Sequence, residues 1–116
     1  MFEYGDYVLH SGSHSAFRID CTALTHYDLC ALASMVVPTL KPFGQVYGIP
    51  RGGIRFADVL QSYSTIGPRL VVDDVLTTGA SMQDEWMQGD QGLVIFTRTS
   101  LVPAWIRPIF SMQVYA

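Results

Sequence analysis

Apolar positions along this chain alternate between helical and extended periods, and glycine, proline and polar stretches punctuate them. Residues 25 to 37 read as a helix. Thr25 and Asp28 make a capping-box pair, Leu29, Leu32, Ala33 and Val36 recur at helical spacing, and Pro38 follows the end. A short strand is expected around Gln45 to Ile49. After Gly52 and Gly53, residues Phe56, Val59, Leu60 and Tyr63 fall at i, i+3, i+4 and i+7, so a second helix runs to about Ser62 before Gly67 and Pro68 break the chain. Leu70 to Val72 is an apolar run ending in two aspartates, the pattern of a buried parallel strand with polar groups at its carboxyl end. A third helix is expected from near Ser81, with Ser81 and Asp84 as a second capping box. Leu93 to Phe96 and Ile106 to Phe110 are further strands, the latter an edge strand because Pro108 cannot donate to a ladder.

Strands alternating with helices predict an α/β fold, a right-handed and mostly parallel twisted sheet flanked by helices. The stretch Tyr7 to Asp20 stands apart: SGSHSAFRID is a polar turn between extended segments.

The 116 residues, 49% of them hydrophobic, suit one domain with one core over 1–116. A net charge of -3 argues against a duplex nucleic-acid binder, which needs clustered cations to replace phosphate counterions. Any phosphate binding is therefore local. Lys41 is the sole lysine, and Arg18, Arg51, Arg55, Arg69, Arg98 and Arg107 carry the remaining positive charge. The acidic start MFEYGDYVLH and the lack of a long apolar run predict a soluble, cytoplasmic protein. Cys21 and Cys30 read as reduced, buried thiols, and His26 between them makes no zinc set.

The strongest chemical signal is RLVVDDVLTTGASMQDE, where two carboxylates leave a strand and a hydroxyl-rich loop enters a helix. Backbone N–H groups there converge with the hydroxyls of Thr77, Thr78 and Ser81 on one anion, and Gly79 permits close backbone approach. Asp73 and Asp74 repel phosphate and suit sugar hydroxyls or a cation. A ligand with both a phosphate and a diol satisfies the two halves together. The second signal is YGIPRGGIRFA at residues 47 to 57. An arginine fork pairs with phosphate oxygens, and flanking glycines let amides face the same anion.

The first segment resembles the 5-phosphoribosyl 1-pyrophosphate (PRPP) motif of type I phosphoribosyltransferases. The resemblance implies that Asp73 and Asp74 hold the ribose hydroxyls, and that Thr77, Thr78, Gly79, Ala80 and Ser81 cradle the 5-phosphate, with Val75 and Leu76 completing the PRPP segment. Pro50, Arg51 and Gly52 match the family's pyrophosphate loop, so Asp73, Asp74 and Arg51 are the implied catalytic residues. LHSGSHSAFRID resembles the N-terminal segment of orotate phosphoribosyltransferases over the base pocket. On that likeness Arg18 and Ile19 contact the base with Thr77, His10 matches a PRPP-contacting lysine, and Arg98 corresponds to the arginine that binds the orotate carboxylate.

The family further implies Mg2+ as cofactor, held mainly through PRPP and water near Asp73 and Asp74, pyrophosphate release with attack by a base nitrogen, and a homodimer. One departure is plain. The family's long mobile loop, rich in lysine, is replaced by QSYSTIGP, which has no Lys, Arg or His. Two alternatives follow: a PRPP- or nucleotide-binding regulatory module with weak or no turnover, and a phosphoribosyltransferase for another, purine-type base.

Overall fold

The computed structural model describes the backbone of residues 2–8 and 14–19 and, with side chains, residues 23–99 and 101–111. Among the described residues, six strands and three α-helices follow in the order β1 (Phe2–Val8), β2 (His14–Ile19), α1 (His26–Val36), β3 (Val46–Gly48), α2 (Ile54–Leu60), β4 (Leu70–Leu76), α3 (Ala80–Glu85), β5 (Gln91–Thr97) and β6 (Ile106–Ser111). Strands β3, β4, β5 and β6 form one parallel sheet in that order. β1 and β2 pair separately as an antiparallel ribbon whose register shifts between Tyr4 and Tyr7.

α1 begins where its capping residues dictate. The Asp28 N–H donates to Thr25 Oγ1 at 3.1 Å and the Thr25 N–H donates to Asp28 Oδ2 at 2.8 Å, closing the expected box. These bonds hold the Asp28 carboxyl below its ordinary pKa. The helix buries Leu29, Leu32, Ala33 and Val36, and α2 buries Phe56, Ala57 and Leu60. Arg55 Nη2 donates to the Leu24 carbonyl at 2.6 Å, tying α2 to the approach of α1.

Both faces of β4 and β5 are buried, which explains their unbroken apolar runs. Leu70, Val72, Leu93 and Ile95 join the α1 and α2 side chains in one core cluster. Val71 and Val94 alternate onto the other face, with Ile49, Leu76, Met82 and Ile106. β6 lies at the sheet edge, as Pro108 requires.

Three expectations are corrected. β4 continues through both aspartates to Leu76, because Asp73 and Val75 keep their pairing with Val94 and Phe96. The Ser81–Asp84 capping box does not form. Gly79 caps α3 in the left-handed conformation at φ 82, which turns the chain early and leaves Ser81 already inside the helix. Cys30 is half-buried rather than buried, its Sγ 3.5 Å from His26 Nε2, while Cys21 lies outside the described residues.

Candidate functional site

Parallel strands end together, and the carboxyl ends of β3, β4 and β5 bring three loops to one edge. The loop after β3 is a tight turn. The Ile49 N–H donates to the Val72 carbonyl at 2.8 Å, the Gly53 N–H to Ile49 O at 2.9 Å, and the Ile54 N–H to Arg51 O at 3.2 Å. Gly53 packs on backbone: a Cβ there would overlap the Val72 carbonyl and come within 2.8 Å of Ile49 N and 3.0 Å of Asp73 Cα. Gly52 packs on the Asp74 carboxylate, which a Cβ would overlap. The Pro50–Arg51 peptide is cis, and Arg51 is exposed, with no side-chain hydrogen bond or ion pair to the described residues.

In β4 each carboxylate is held by the next amide. The Asp74 N–H donates to Asp73 Oδ1 at 2.8 Å and the Val75 N–H to Asp74 Oδ1 at 2.7 Å. Asp73 is pushed up to about 7, first by burial, then by the hydrogen bond it shares with the Asp74 side chain and by that neighbour's charge; the Asp74 N–H acts in the opposite sense. Beyond the pair, Asp73 and residues Val75 to Met82 line a cavity of about 40 Å³. Thr77, Thr78 and Ser81 are exposed at it. Thr78 Oγ1 accepts the Ala80 N–H at 3.3 Å, while the N–H groups of Thr78, Gly79 and Ser81 have no backbone partner among the described residues. Such amides and hydroxyls around a small cavity suit an anion of phosphate size. Leu76 lines the cavity but is itself only 2% exposed, and it packs in the core.

Arg98 leaves β5 beside this loop. Its N–H donates to the Leu76 carbonyl at 3.0 Å, and its side chain is exposed. The buried Thr97 stiffens the exit, its Oγ1 donating to Thr99 O at 3.0 Å and accepting the Thr99 N–H at 3.2 Å. Sequence reading passed over Thr97, although a threonine ending an apolar run is the available signal. The structure thus gathers Asp73, Asp74, Pro50, Arg51, Gly52, the 75–81 segment and Arg98. Arg18 and Ile19 lie in β2, paired with Glu3 and Phe2, with side chains beyond the described atoms, and His10 lies outside the described residues.

The short interval after α2 is elsewhere. The Thr65 N–H donates to Phe43 O at 2.7 Å, the Gly44 N–H to Pro68 O at 2.9 Å, and the Leu70 N–H to Gln45 O at 2.8 Å. These bonds fasten it at the amino ends of β3 and β4, across the sheet from the site. Lys41 lies at that end too, its backbone bonded to the Gln91 side chain at the start of β5. Among the described residues no group of three side chains of ligating type gathers for a metal.

The architecture matches solved structures over nearly its full length. Orotate phosphoribosyltransferase from Aeropyrum pernix superposes with a TM-score of 0.75 at 19% identity, over 96% of this chain and 88% of that one. The chain has the orotate phosphoribosyltransferase fold. The Mycobacterium tuberculosis enzyme in complex with inorganic phosphate has the same fold, at TM-score 0.66 and 18% identity over 93% of this chain and 86% of that one. Leishmania donovani UMP synthase has it within a longer protein, at TM-score 0.64 and 14% identity over 96% of this chain and 33% of that one. No family model matches the sequence, and a search of curated proteins finds no match. Within this type I phosphoribosyltransferase fold, the acidic pair and hydroxyl loop stand where open parallel sheets bind ligands. No helix among the described residues is long and apolar enough to cross a membrane.

Proposed function

We propose that this chain is a phosphoribosyltransferase that binds PRPP with Mg2+ and transfers its ribose 5-phosphate to a nucleobase, orotate before others, releasing pyrophosphate. The observation that carries the reading is the contact of Gly52 with the Asp74 carboxylate, which joins the two loops into one site. Thr77, Thr78, Ser81 and the neighbouring amides would take the 5-phosphate. Asp73 and Asp74 would accept hydrogen bonds from the ribose hydroxyls, and Arg51 would pair with pyrophosphate oxygens. Bound Mg2+ would supply charge neutralisation on the leaving group. The two carboxylates fit it only together with ligand oxygens and water, the usual mode for this ion. Catalysis would then rest on positioning and charge stabilisation.

The test is release of pyrophosphate from PRPP with Mg2+ and a panel of bases. Release with orotate supports the reading; release only with a purine moves the base assignment; binding without release makes the chain a PRPP-binding module. That last alternative is favoured by one observation. The 61–68 interval is fastened at the far end of the sheet and brings no cation to the pyrophosphate side.

Arg98 is the proposed partner of the orotate carboxylate, resting on its backbone tie to Leu76 beside Thr77. Arg98→Ala is expected to cost orotate roughly 1.5–3 kcal/mol, a tenfold to hundredfold loss of affinity, while sparing PRPP. Titration of both ligands against parent and variant measures it. Equal weakening of both, or of neither, removes the assignment.

A further inference from the structure

Of the six residues of α3 only Met82 is buried, and its N-cap, Gly79, has no side chain to cap it, leaving the Thr78 Oγ1 bond to the Ala80 N–H at 3.3 Å. A helix this short has no independent stability, so its placement depends on tertiary ties. Apart from Met82 and the contact of the exposed Trp86 ring with Trp105, centroids 6.3 Å apart, the tie is Arg69, the residue before β4. Its Nη2 donates to the Glu85 carbonyl at 2.7 Å and to Asp90 Oδ2 at 2.6 Å, its Nη1 to Glu85 Oε1 at 3.1 Å, and its Nε to Asp90 Oδ1 at 3.3 Å. The guanidinium also lies 5.6 Å from the centre of the Tyr47 ring in β3.

The surroundings fix this fork. The Asp90 side chain is 4% exposed and its Oδ2 also accepts the Met87 N–H at 2.8 Å. Burial pushes the Asp90 carboxyl up, but the Arg69 and Met87 hydrogen bonds prevail and hold it below its ordinary value. The Gln91 N–H donates to Arg69 O at 3.0 Å, so the residue joins β4 to β5 by backbone and to α3 by side chain.

We infer that Arg69 is a positioning residue for the 77–81 loop: clamping the far end of α3 and the 86–90 turn to the amino end of β4 holds the cavity amides and hydroxyls in place for a phosphate. The inference rests on reading that loop as the phosphate cradle. Between its two ends, the end of β4 and the Arg69 fork, the segment 77–90 has only Met82 in the core. A lysine could replace the charge but not the planar fork, which reaches a carbonyl and two carboxylates at once.

Arg69→Lys and Arg69→Met, compared with the parent protein, test this by amide exchange and by PRPP titration with Mg2+. Expected are faster exchange across residues 79–86, parent-like exchange across Leu93 to Phe96, and PRPP affinity at least roughly tenfold weaker in both variants. If Arg69→Met does not fold, Arg69→Lys decides alone. Parent-like exchange across 79–86 overturns the clamp, as does uniform acceleration across the sheet. Parent-like PRPP affinity in a variant with a loosened loop overturns the positioning role. A parent that binds no PRPP overturns the PRPP reading instead, and the clamp is then decided by exchange alone.

Discussion

Gly53→Ala is expected to be the most destabilising small substitution in the site, costing about 3 kcal/mol, whereas Gly52→Ala beside it costs little stability and weakens the ligand. The two glycines look alike in sequence and face different neighbours. The three atoms nearest to a Gly53 Cβ all belong to backbone: the Val72 carbonyl, Ile49 N and Asp73 Cα. No rotamer change relieves that overlap, so β3 and β4 must shift, at the upper end of the usual overpacking cost of about 1–3 kcal/mol. In a domain of this size each kcal/mol lowers the melting temperature by roughly 4 °C, giving about 12 °C in all. At Gly52 the obstacle is the Asp74 carboxylate, a side chain that can rotate away. That rotation removes Asp74 from the site, so PRPP affinity should fall roughly tenfold or more while the melting temperature stays within a few degrees. Thermal unfolding and calorimetry on both variants check this. Equal melting losses at the two positions would show the contrast to be wrong.

Asp73→Asn is expected to stabilise the free protein above neutral pH and to weaken PRPP. The Asp73 carboxyl is pushed up to about 7 in the folded chain, from 3.8 for an ordinary aspartate. Between those values the unfolded chain releases its proton and the folded chain keeps it. Stability therefore falls as pH rises through that window, and the loss is complete above about 7. Asparagine has no proton to lose, so the variant gains on the parent across the same window. The displacement corresponds to about 4 kcal/mol at face value, and solvent screening of a half-buried carboxyl leaves roughly 1–2 kcal/mol. The amide oxygen can still accept the Asp74 N–H, so the fold is kept. At pH 8, above the Asp73 pKa of about 7, affinity for PRPP with Mg2+ should drop at least roughly tenfold in Asp73→Asn and likewise in Asp74→Asn, because each then loses a charged acceptor. Melting curves at pH 5 and pH 8 give the stability arm and calorimetry with and without EDTA gives the binding arm. A variant no more stable than the parent at pH 8 would remove the claim of a proton-retaining carboxyl. Unchanged PRPP affinity in both variants would remove the ribose assignment.

The order of elements, the Thr25–Asp28 cap, the edge position of β6 and the hydroxyl loop entering α3 were legible in the amino-acid order. Each depends on near neighbours: a cap reaches three residues, an apolar run marks a buried strand, and a proline without an N–H excludes an inner strand. The failed Ser81–Asp84 box is the same rule losing to Gly79, whose left-handed backbone starts α3 before Ser81 can cap it. What only the tertiary structure decided depends on distant residues meeting. Gly52 and Asp74 are separated by a strand crossover and touch because β3 and β4 pair in parallel. Arg69 reaches Glu85 and Asp90 because α3 runs back along the sheet to the amino end of β4. Asp73 retains its proton to about pH 7 because burial and Asp74 act on it together. Local backbone preference can be read from residue type, whereas desolvation and charge pairing exist only once the chain has folded back on itself.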